Sequence, residues 1–174
     1  MNWLKRFDHH IFIASLRLST ESLTNRWMKR VSRSGNGGAF WLLISAVLLL
    51  FESTRQTGGQ CIWALLVTTA IGEGLLKHIF RRPRPFVTHG PIHLVIPMPT
   101  GFSFPSGHMA SSVAAALILS QMGPVPALLA TFYATLMGIS RIYLKAHYLT
   151  DVVVGAVVGF FCGKLSMWLY PMLF

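Results

Sequence analysis

The chain has 174 residues, of which 53% are hydrophobic and only 11% are charged. Soluble domains carry about 25% charged residues, so this composition excludes an ordinary soluble protein and predicts a membrane protein. Fifteen Lys and Arg against five Asp and Glu give a net charge of +10. Such an excess suits an anionic lipid surface or an anionic substrate, and no motif for binding nucleic acid is present.

The first 37 residues are predicted to form an amphipathic segment at the membrane surface. Aromatic and aliphatic side chains alternate there with basic ones at helical spacing, which is typical of interfacial helices. The apolar stretch 10–18 is too short to cross a bilayer, because crossing takes about 20 residues. A glycine-rich turn at 34–38 then ends the segment.

Five longer apolar segments follow and predict an all-α fold, a polytopic transmembrane helix bundle. We expect one domain, 1–174, with the bundle in 38–174 and five spans, or six if residues 8–30 also cross. Three glycines at spacing four in the last segment predict close packing on another helix. The apolar segments are 38–54, 60–80, 105–122, 124–144 and 148–170.

Several ionisable side chains lie within or at the ends of these segments, where each charge costs about 2.5–3.5 kcal/mol on insertion scales. Such residues are usually functional. Because successive spans alternate in direction, the regions around 77–84, 105–108, 140–141 and 147–151 should meet on one side of the membrane. The ionisable side chains are Glu73, Lys77, Arg141, His147 and Asp151.

His147 and Asp151 are four residues apart and therefore share one face of a helix. A carboxylate at that position can accept the imidazole Nδ1–H, which leaves the other nitrogen as a nucleophile or base. Arg141 lies six residues before His147 and would face elsewhere on a continuous helix. We therefore expect the helix to break at 144–146.

The neighbouring polar residues suit a phosphate ligand. Arg84 and Arg141 can each bind phosphoryl oxygens through two N–H groups, and Lys77 adds a point charge. The stretch 105–108, Pro-Ser-Gly-His, predicts a helix with Pro in its first turn and free N–H groups that face an anion. His108 would supply a second imidazole, so one histidine can attack while the other protonates the leaving oxygen.

With these residues in place, the sequence resembles the type-2 phosphatidic acid phosphatase (PAP2) family. That family includes integral-membrane lipid phosphatases and the soluble vanadium haloperoxidases, and the predicted spans favour the former. Every motif position is filled, in order and at the expected spacing. The motifs are Lys77-x6-Arg84-Pro85, Pro105-Ser106-Gly107-His108 and Ser140-Arg141-x5-His147-x3-Asp151.

The resemblance implies a role for each motif residue. His147 would attack phosphorus and become a phosphohistidine, Asp151 would orient it, and His108 would protonate the leaving group and later activate water. The phosphoryl oxygens would be held by Lys77, Arg84, Ser106, Gly107 and Arg141.

Neither a metal nor a cofactor is expected. The family resemblance implies none, and a two-metal hydrolase needs several carboxylates around its ions. Of the five acids in the chain, only Asp151 and Glu73 are expected near a site.

The expected activity is dephosphorylation of a membrane lipid phosphate or diphosphate. By resemblance, the substrate would be of the undecaprenyl diphosphate, phosphatidylglycerophosphate or phosphatidate type. Membrane lipids are expected as further partners, and the sequence does not indicate the oligomeric state. One alternative is a phosphotransferase that passes the phosphate to another lipid, and a second is a non-enzymatic protein that binds or transports lipid phosphates. The two histidines with Asp151 favour an enzyme.

The expected location is the cell membrane, with several passes through it. The resemblance implies a site on the extracytoplasmic face. The positive-inside rule instead predicts a cytoplasmic site. With five spans, the basic N-terminal cluster lies on the same side of the membrane as the site, and basic clusters are usually cytoplasmic. A sixth span over 8–30 would move Lys5 and Arg6 across the membrane.

Overall fold

The structure is a computed structural model that describes residues 3–17, 23–89, 94 and 96–174. Within those ranges the chain is helical and contains no β-strand, which confirms the all-α prediction. The helices are α1 (Trp3–Leu16), α2 (Leu23–Ser34), α3 (Ala39–Leu49), α4 (Arg55–Thr69), a π-helical segment (Ala70–Leu76), α5 (Lys77–Phe80), α6 (Pro85–Thr88), α7 (Gly107–Leu119), α8 (Pro124–Tyr143) and α9 (Leu149–Leu173).

The short helix α7 lies at the centre of the bundle. It contacts α4, α8 and α9, and its small side chains Ala110, Ala114 and Ala115 are fully buried. Small residues let neighbouring helices approach closely on several sides at once. The indole N–H of Trp41 on α3 donates to Ser112 Oγ at 3.0 Å, which ties a fourth helix to α7.

Helices α7 and α9 approach each other closely at the predicted glycines of α9. A Cβ at Gly155 would lie 2.6 Å from the carbonyl oxygen of Ser106, and one at Gly159 would overlap the backbone of Ala110. Only glycine fits such contacts, so the prediction of close helix packing is confirmed. The packing holds the start of α7 beside the start of α9.

Three helical stretches of the described chain are long and apolar enough to cross a membrane, namely Glu52–Thr88, Pro124–Tyr143 and Leu149–Leu173. The structure therefore does not confirm the full number of five to six expected spans. The apolar stretch Asn36–Leu49 is shorter. The 13 residues of Gly107–Leu119 extend about 20 Å, against a hydrocarbon core of about 30 Å.

The N-terminal segment packs on the bundle. Helix α1 contacts α8 and α9, and α2 contacts α8. Asp8 and Phe12 of α1 and Ser32 of α2 are buried by these contacts. The segment therefore reaches the region where α7, α8 and α9 meet.

Candidate active site

A cavity of about 620 Å³ lies between the turn after α2, the π-helical segment, the loop 96–100 and the start of α7. Two imidazoles line it, together with four cationic side chains and one carboxylate. Because positive charge predominates, the cavity favours an anionic ligand. The predicted site residues that line it are Lys77, Arg84, Gly107, His108, Arg141 and His147.

The two remaining predicted residues, Ser106 and Asp151, are fully buried beside the cavity. The Ser106 N–H donates to the carbonyl oxygen of Asp151 at 3.0 Å and joins the start of α7 to α9. The structure therefore brings all eight predicted residues into one region. The Ser106 N–H is already used and is not free for a phosphate.

His147 lies in the turn between α8 and α9, where the helix breaks as predicted. The N–H groups of Ala146 and His147 both donate to the carbonyl oxygen of Arg141, at 3.0 and 3.3 Å. Lys145 adopts a positive φ of 60° within this turn. The reversal places His147 on the same side as Arg141, which a continuous helix could not do.

The His147 imidazole is oriented by a backbone carbonyl. Nδ1 lies 2.7 Å from the carbonyl oxygen of Ser103, whereas Oδ2 of Asp151 is 3.7 Å away. The Nδ1–H therefore donates to the carbonyl oxygen of Ser103. The expectation that Asp151 accepts this proton is wrong, because the carboxylate makes only a longer charge contact with the ring. Nε2 keeps its lone pair, 3.4 Å from Nη1 of Arg84.

Burial lowers the pKa of His147 from 6.5 to about 4, because a charged imidazole is costly away from water. The positive charges of Arg141 and Arg84 lower this pKa further, and Asp151 opposes them only in part. The imidazole is therefore neutral at pH 7. A neutral ring with an outward lone pair is the form that can act as a nucleophile.

Asp151 caps the first turn of α9 and pairs with Arg82. Its Oδ2 accepts the Tyr148 N–H at 2.9 Å, and its Oδ1 accepts from Arg82 Nη1 at 2.7 Å. The Arg82 guanidinium also stacks on the Tyr148 ring at 4.1 Å. These contacts fix the carboxylate beside His147.

Asp8 extends this network from α1. Its Oδ2 accepts from Arg82 Nη2 at 2.6 Å, and its Oδ1 accepts the Thr150 N–H at 3.0 Å. The expectation that only Asp151 and Glu73 among the acids lie near the site is therefore wrong. Asp8 comes close because α1 folds back over the start of α9.

Arg84 is held by three backbone carbonyls. Its Nε donates to Gly101 at 3.0 Å, Nη1 to Ala146 at 3.1 Å and Nη2 to Thr100 at 2.9 Å. A guanidinium has five N–H groups, so the second N–H of Nη1, which lies near His147 Nε2, and one N–H of Nη2 are not used by the three carbonyls. That pair can bind two oxygens of a phosphate next to His147 Nε2.

Arg141 and Ser106 each present a buried polar atom without a partner in the described part of the chain. These atoms are Nε of Arg141 and Oγ of Ser106. Arg141 Nη1 donates to Ser32 Oγ of α2. Because buried polar atoms are nearly always hydrogen-bonded, Arg141 Nε is available to a ligand or water in the cavity, whereas Ser106 does not line the cavity.

Lys77 forms an ion pair with Glu73. Its Nζ lies 2.7 Å from one carboxylate oxygen and 2.8 Å from the other. The same carboxylate lies so close to Gly107 that a Cβ there would overlap Oε1 of Glu73. It thus occupies the position beside Lys77 and the start of α7 that was predicted for a phosphate.

His108 contacts the glycine-rich turn that follows α2. Its Nε2 lies 3.0 Å from Oδ1 of Asn36. A Cβ at the preceding Gly35 would lie 2.9 Å from His108 Cδ2. The turn therefore lies directly against the second imidazole.

Sequence reasoning missed the residues that support the site from a distance. Ser32 and Asn36 meet their partners across 109 and 72 residues, and Ser103 meets His147 across 44. Neither spacing nor residue type indicates such contacts. For Asp8 a signal existed, because a carboxylate is rare in this chain and this one lies on an apolar helix.

No group of three or more His, Cys, Asp or Glu side chains in the described ranges is arranged to hold a metal ion. Metal-independent chemistry stays a prediction.

Comparison with known proteins supports the family. Residues 58–174 match the PAP2 superfamily. The "Undecaprenyl-diphosphatase" of Sulfolobus acidocaldarius is 31% identical over 128 residues, which are 73% of this chain and 62% of that protein, less than two thirds of its length. The "Decaprenylphosphoryl-5-phosphoribose phosphatase" of Mycolicibacterium smegmatis is 34% identical over 127 residues, covering 73% of this chain and 68% of that protein.

A solved structure shows the same fold. It is the crystal structure of a transmembrane PAP2 type phosphatidylglycerolphosphate phosphatase from Bacillus subtilis, which has a TM-score of 0.79 and 23% sequence identity. The superposition covers all of this chain and 89% of the other. Together with the apolar helices, these matches confirm the predicted family, and the chain is an integral membrane protein that belongs to the PAP2 superfamily.

Proposed function

We propose that this protein is a lipid phosphatase that hydrolyses a lipid phosphate or diphosphate through a phosphohistidine on His147. The observation that carries the proposal is the neutral Nε2 of His147, which lies beside Arg84 in a cavity lined with cations. The names of the two sequence relatives support polyprenyl-linked phosphates as the first substrate class to test.

In the first half-reaction, Nε2 of His147 attacks phosphorus as the bond to the leaving oxygen breaks. The free N–H groups of Arg84, Nε of Arg141 and the first-turn N–H groups of α7 hold the phosphoryl oxygens. Lys77 leaves Glu73 to join them. His108 donates a proton to the leaving oxygen, which departs as an alcohol or a phosphate.

In the second half-reaction, His108 takes a proton from water and the resulting hydroxide attacks the phosphohistidine. The P–N bond breaks, inorganic phosphate leaves, and the electron pair returns to Nε2 of His147. The phosphorylated ring carries positive charge, which the Ser103 carbonyl and the Asp151 carboxylate stabilise from the Nδ1 side.

In the cell membrane, the five apolar segments cross the bilayer and the cavity opens on the extracytoplasmic side. The alternation of the segments supports a site at one end of the bundle, since it brings the four motif regions together there, and the family resemblance is the ground for the extracytoplasmic side. Apolar side chains on the outside of α8 and α9, such as Leu128, Phe132 and Phe161, support contact with lipid tails.

The test is release of inorganic phosphate by the purified protein in detergent micelles. The substrates are undecaprenyl diphosphate, phosphatidylglycerophosphate and phosphatidate, each assayed with and without excess EDTA. We expect turnover of at least one, unchanged by EDTA and abolished in His147→Ala. Loss of activity with EDTA that magnesium restores would contradict the metal-independent mechanism.

The same assay separates the alternatives. A phosphotransferase would consume the phospholipid and yield a newly phosphorylated lipid instead of inorganic phosphate. A binding or transport protein would retain the lipid without turnover in any arm.

A further inference from the structure

The glycine-rich turn at 34–38 is shaped to contact the active site. A Cβ at Gly35 would lie 2.5 Å from Met137 Cε and 2.9 Å from His108 Cδ2, so a larger residue there would displace these two side chains. Gly37 and Gly38 have φ angles of 59° and 73°, a region that glycine adopts without strain. The turn precedes the family-matched region, which begins at residue 58.

Asn36 is the residue that this turn presents to His108. Oδ1 of Asn36 lies 3.0 Å from Nε2 of His108, and both residues line the cavity. An amide oxygen can only accept, so Nε2 of His108 carries the proton in this contact. The other ring nitrogen, Nδ1, is then the one that takes up and gives back the transferred proton.

A second contact also links the same segment to the site. Ser32, four residues before Asn36, accepts a hydrogen bond from Arg141 Nη1. The end of α2 and its turn thus hold one phosphate-binding cation and one imidazole of the site.

We propose that Asn36 is a positioning residue for the general acid His108, fixing its tautomer and ring orientation through the hydrogen bond to Nε2. This inference rests on the proposed function, because it assigns proton transfer to His108. In the first half-reaction the hydrogen bond matters only when the leaving oxygen needs a proton.

The test compares two substrates in wild type, Asn36→Ala, Asn36→Asp and a matched control, Ser34→Ala. Ser34 belongs to the same turn, but its hydroxyl contacts Tyr133 and the Val31 carbonyl instead of the site. One substrate is whichever of phosphatidylglycerophosphate and phosphatidate has the higher wild-type turnover, because the alkoxide that leaves from these monoesters needs a proton. The other is 4-nitrophenyl phosphate, whose leaving group does not.

We expect Asn36→Ala to lower the single-turnover rate of phosphoenzyme formation from the lipid phosphate about tenfold, the effect of losing one partly exposed hydrogen bond. From the aryl phosphate this rate should change less than about twofold, because nitrophenolate leaves without a proton. Asn36→Asp should restore lipid turnover and keep it at higher pH, because a carboxylate stabilises the protonated imidazole. Ser34→Ala should lose little on either substrate.

Equal losses on both substrates in Asn36→Ala, or the same losses in Ser34→Ala, would show a structural role and overturn the assignment. Unchanged lipid turnover in Asn36→Ala would also overturn it. A wild-type protein that hydrolyses no lipid phosphate or diphosphate of the panel would overturn the proposed function itself, which distinguishes the two failures.

Discussion

The two imidazoles of the cavity stand in different surroundings. His147 is buried, donates to a backbone carbonyl and directs Nε2 towards Arg84. His108 is only partly buried and contacts an exposed amide. One presents its free nitrogen beside a guanidinium, and the other lies against the turn that follows α2.

The two roles predict different responses to an activated substrate. His147→Ala removes the atom that bonds to phosphorus, so no phosphoenzyme should form from any substrate. His108→Ala removes a proton donor worth about 10²–10⁴ in rate, so an activated aryl phosphate should regain part of its phosphorylation rate. Asp151→Asn should fall between, because the Ser103 carbonyl still fixes the tautomer while the negative charge that stabilises the phosphohistidine is lost.

The measurement is single-turnover labelling with a ³²P-labelled aryl phosphate, followed by trapping of acid-labile, base-stable phosphoprotein. If His147→Ala still labels while His108→Ala does not, the two roles are reversed.

The pKa of His147 predicts its charge at each pH. Because burial lowers this pKa to about 4 from 6.5, the ring should stay neutral at pH 5, where an ordinary histidine is protonated. When pH falls below 6.5, the unfolded chain takes up a proton first. The stability associated with the neutral ring is therefore full above pH 6.5 and is lost towards pH 4.

The midpoint can be read by NMR on ¹⁵N-histidine-labelled protein, with His147→Gln to assign the signal. A titration midpoint at or above 6.5 would contradict a desolvated, neutral nucleophile.

At the scale of single elements, the π-helical segment Ala70–Leu76 has a functional consequence. It presents Glu73 to both Lys77 and the start of α7, so the resting site holds its own carboxylate where a phosphate should bind. Glu73→Gln should therefore tighten binding of orthovanadate, an anion that mimics the pentacoordinate phosphorus, by roughly threefold to tenfold.

Inhibition constants for vanadate measure this effect, and Glu52→Gln is the control, because Glu52 is exposed and does not line the cavity. Weaker binding in Glu73→Gln would mean that the carboxylate holds Lys77 in place for the substrate.

The contact between α7 and α9 makes a prediction about stability. A methyl group at Gly159 would overlap the carbonyl of Ala110, and backbone cannot move aside as a flexible side chain can. Gly159→Ala should cost about 1–3 kcal/mol and lower the Tm in detergent. Gly72→Ala, with no atom within 4 Å of its Cβ, should keep or raise the Tm. Equal Tm values would disprove the close contact.

The helix pattern shows what a sequence can predict about elements. The break at 144–146 followed from the need to bring Arg141 and His147 together, and the structure has it there. The segment 105–122 agrees with α7 and the 3-10 turn Ser120–Met122 that extends it, but α7 itself is short for a span. Its apolar character reflects burial among other helices, which hydropathy does not distinguish from contact with lipid.

At the scale of the whole molecule, the orientation in the membrane can be tested with added cysteines. Met98→Cys lies in the exposed loop beside the cavity, and Gln56→Cys lies in the exposed first turn of α4, which five spans place on the opposite side. Both native cysteines, Cys61 and Cys162, are buried and should give a low background. With an extracytoplasmic site, an impermeant thiol reagent applied to intact cells should label Met98→Cys only.

Labelling of Gln56→Cys alone would place the cavity on the cytoplasmic side, as the positive-inside rule implies. Labelling of both from outside would contradict the five-span arrangement.

The motif residues around the cavity were predictable because each has a type and a spacing that phosphate chemistry requires. The residues that hold them in position were not predictable. Ser103 holds His147 through a backbone oxygen, which any residue could supply, and Arg84 likewise binds three carbonyls. Residue types in the sequence therefore do not indicate contacts to the main chain.

The N-terminal contacts have a consequence for how such proteins are recognised in genomes. The family match begins at residue 58, yet Asp8, Ser32 and Asn36 connect to Arg82, Arg141 and His108. A gene product that keeps every motif but has lost its first forty residues would still be assigned to the family by sequence. We expect such a shortened homologue to have lost the contacts that orient its catalytic groups and to be a poor enzyme.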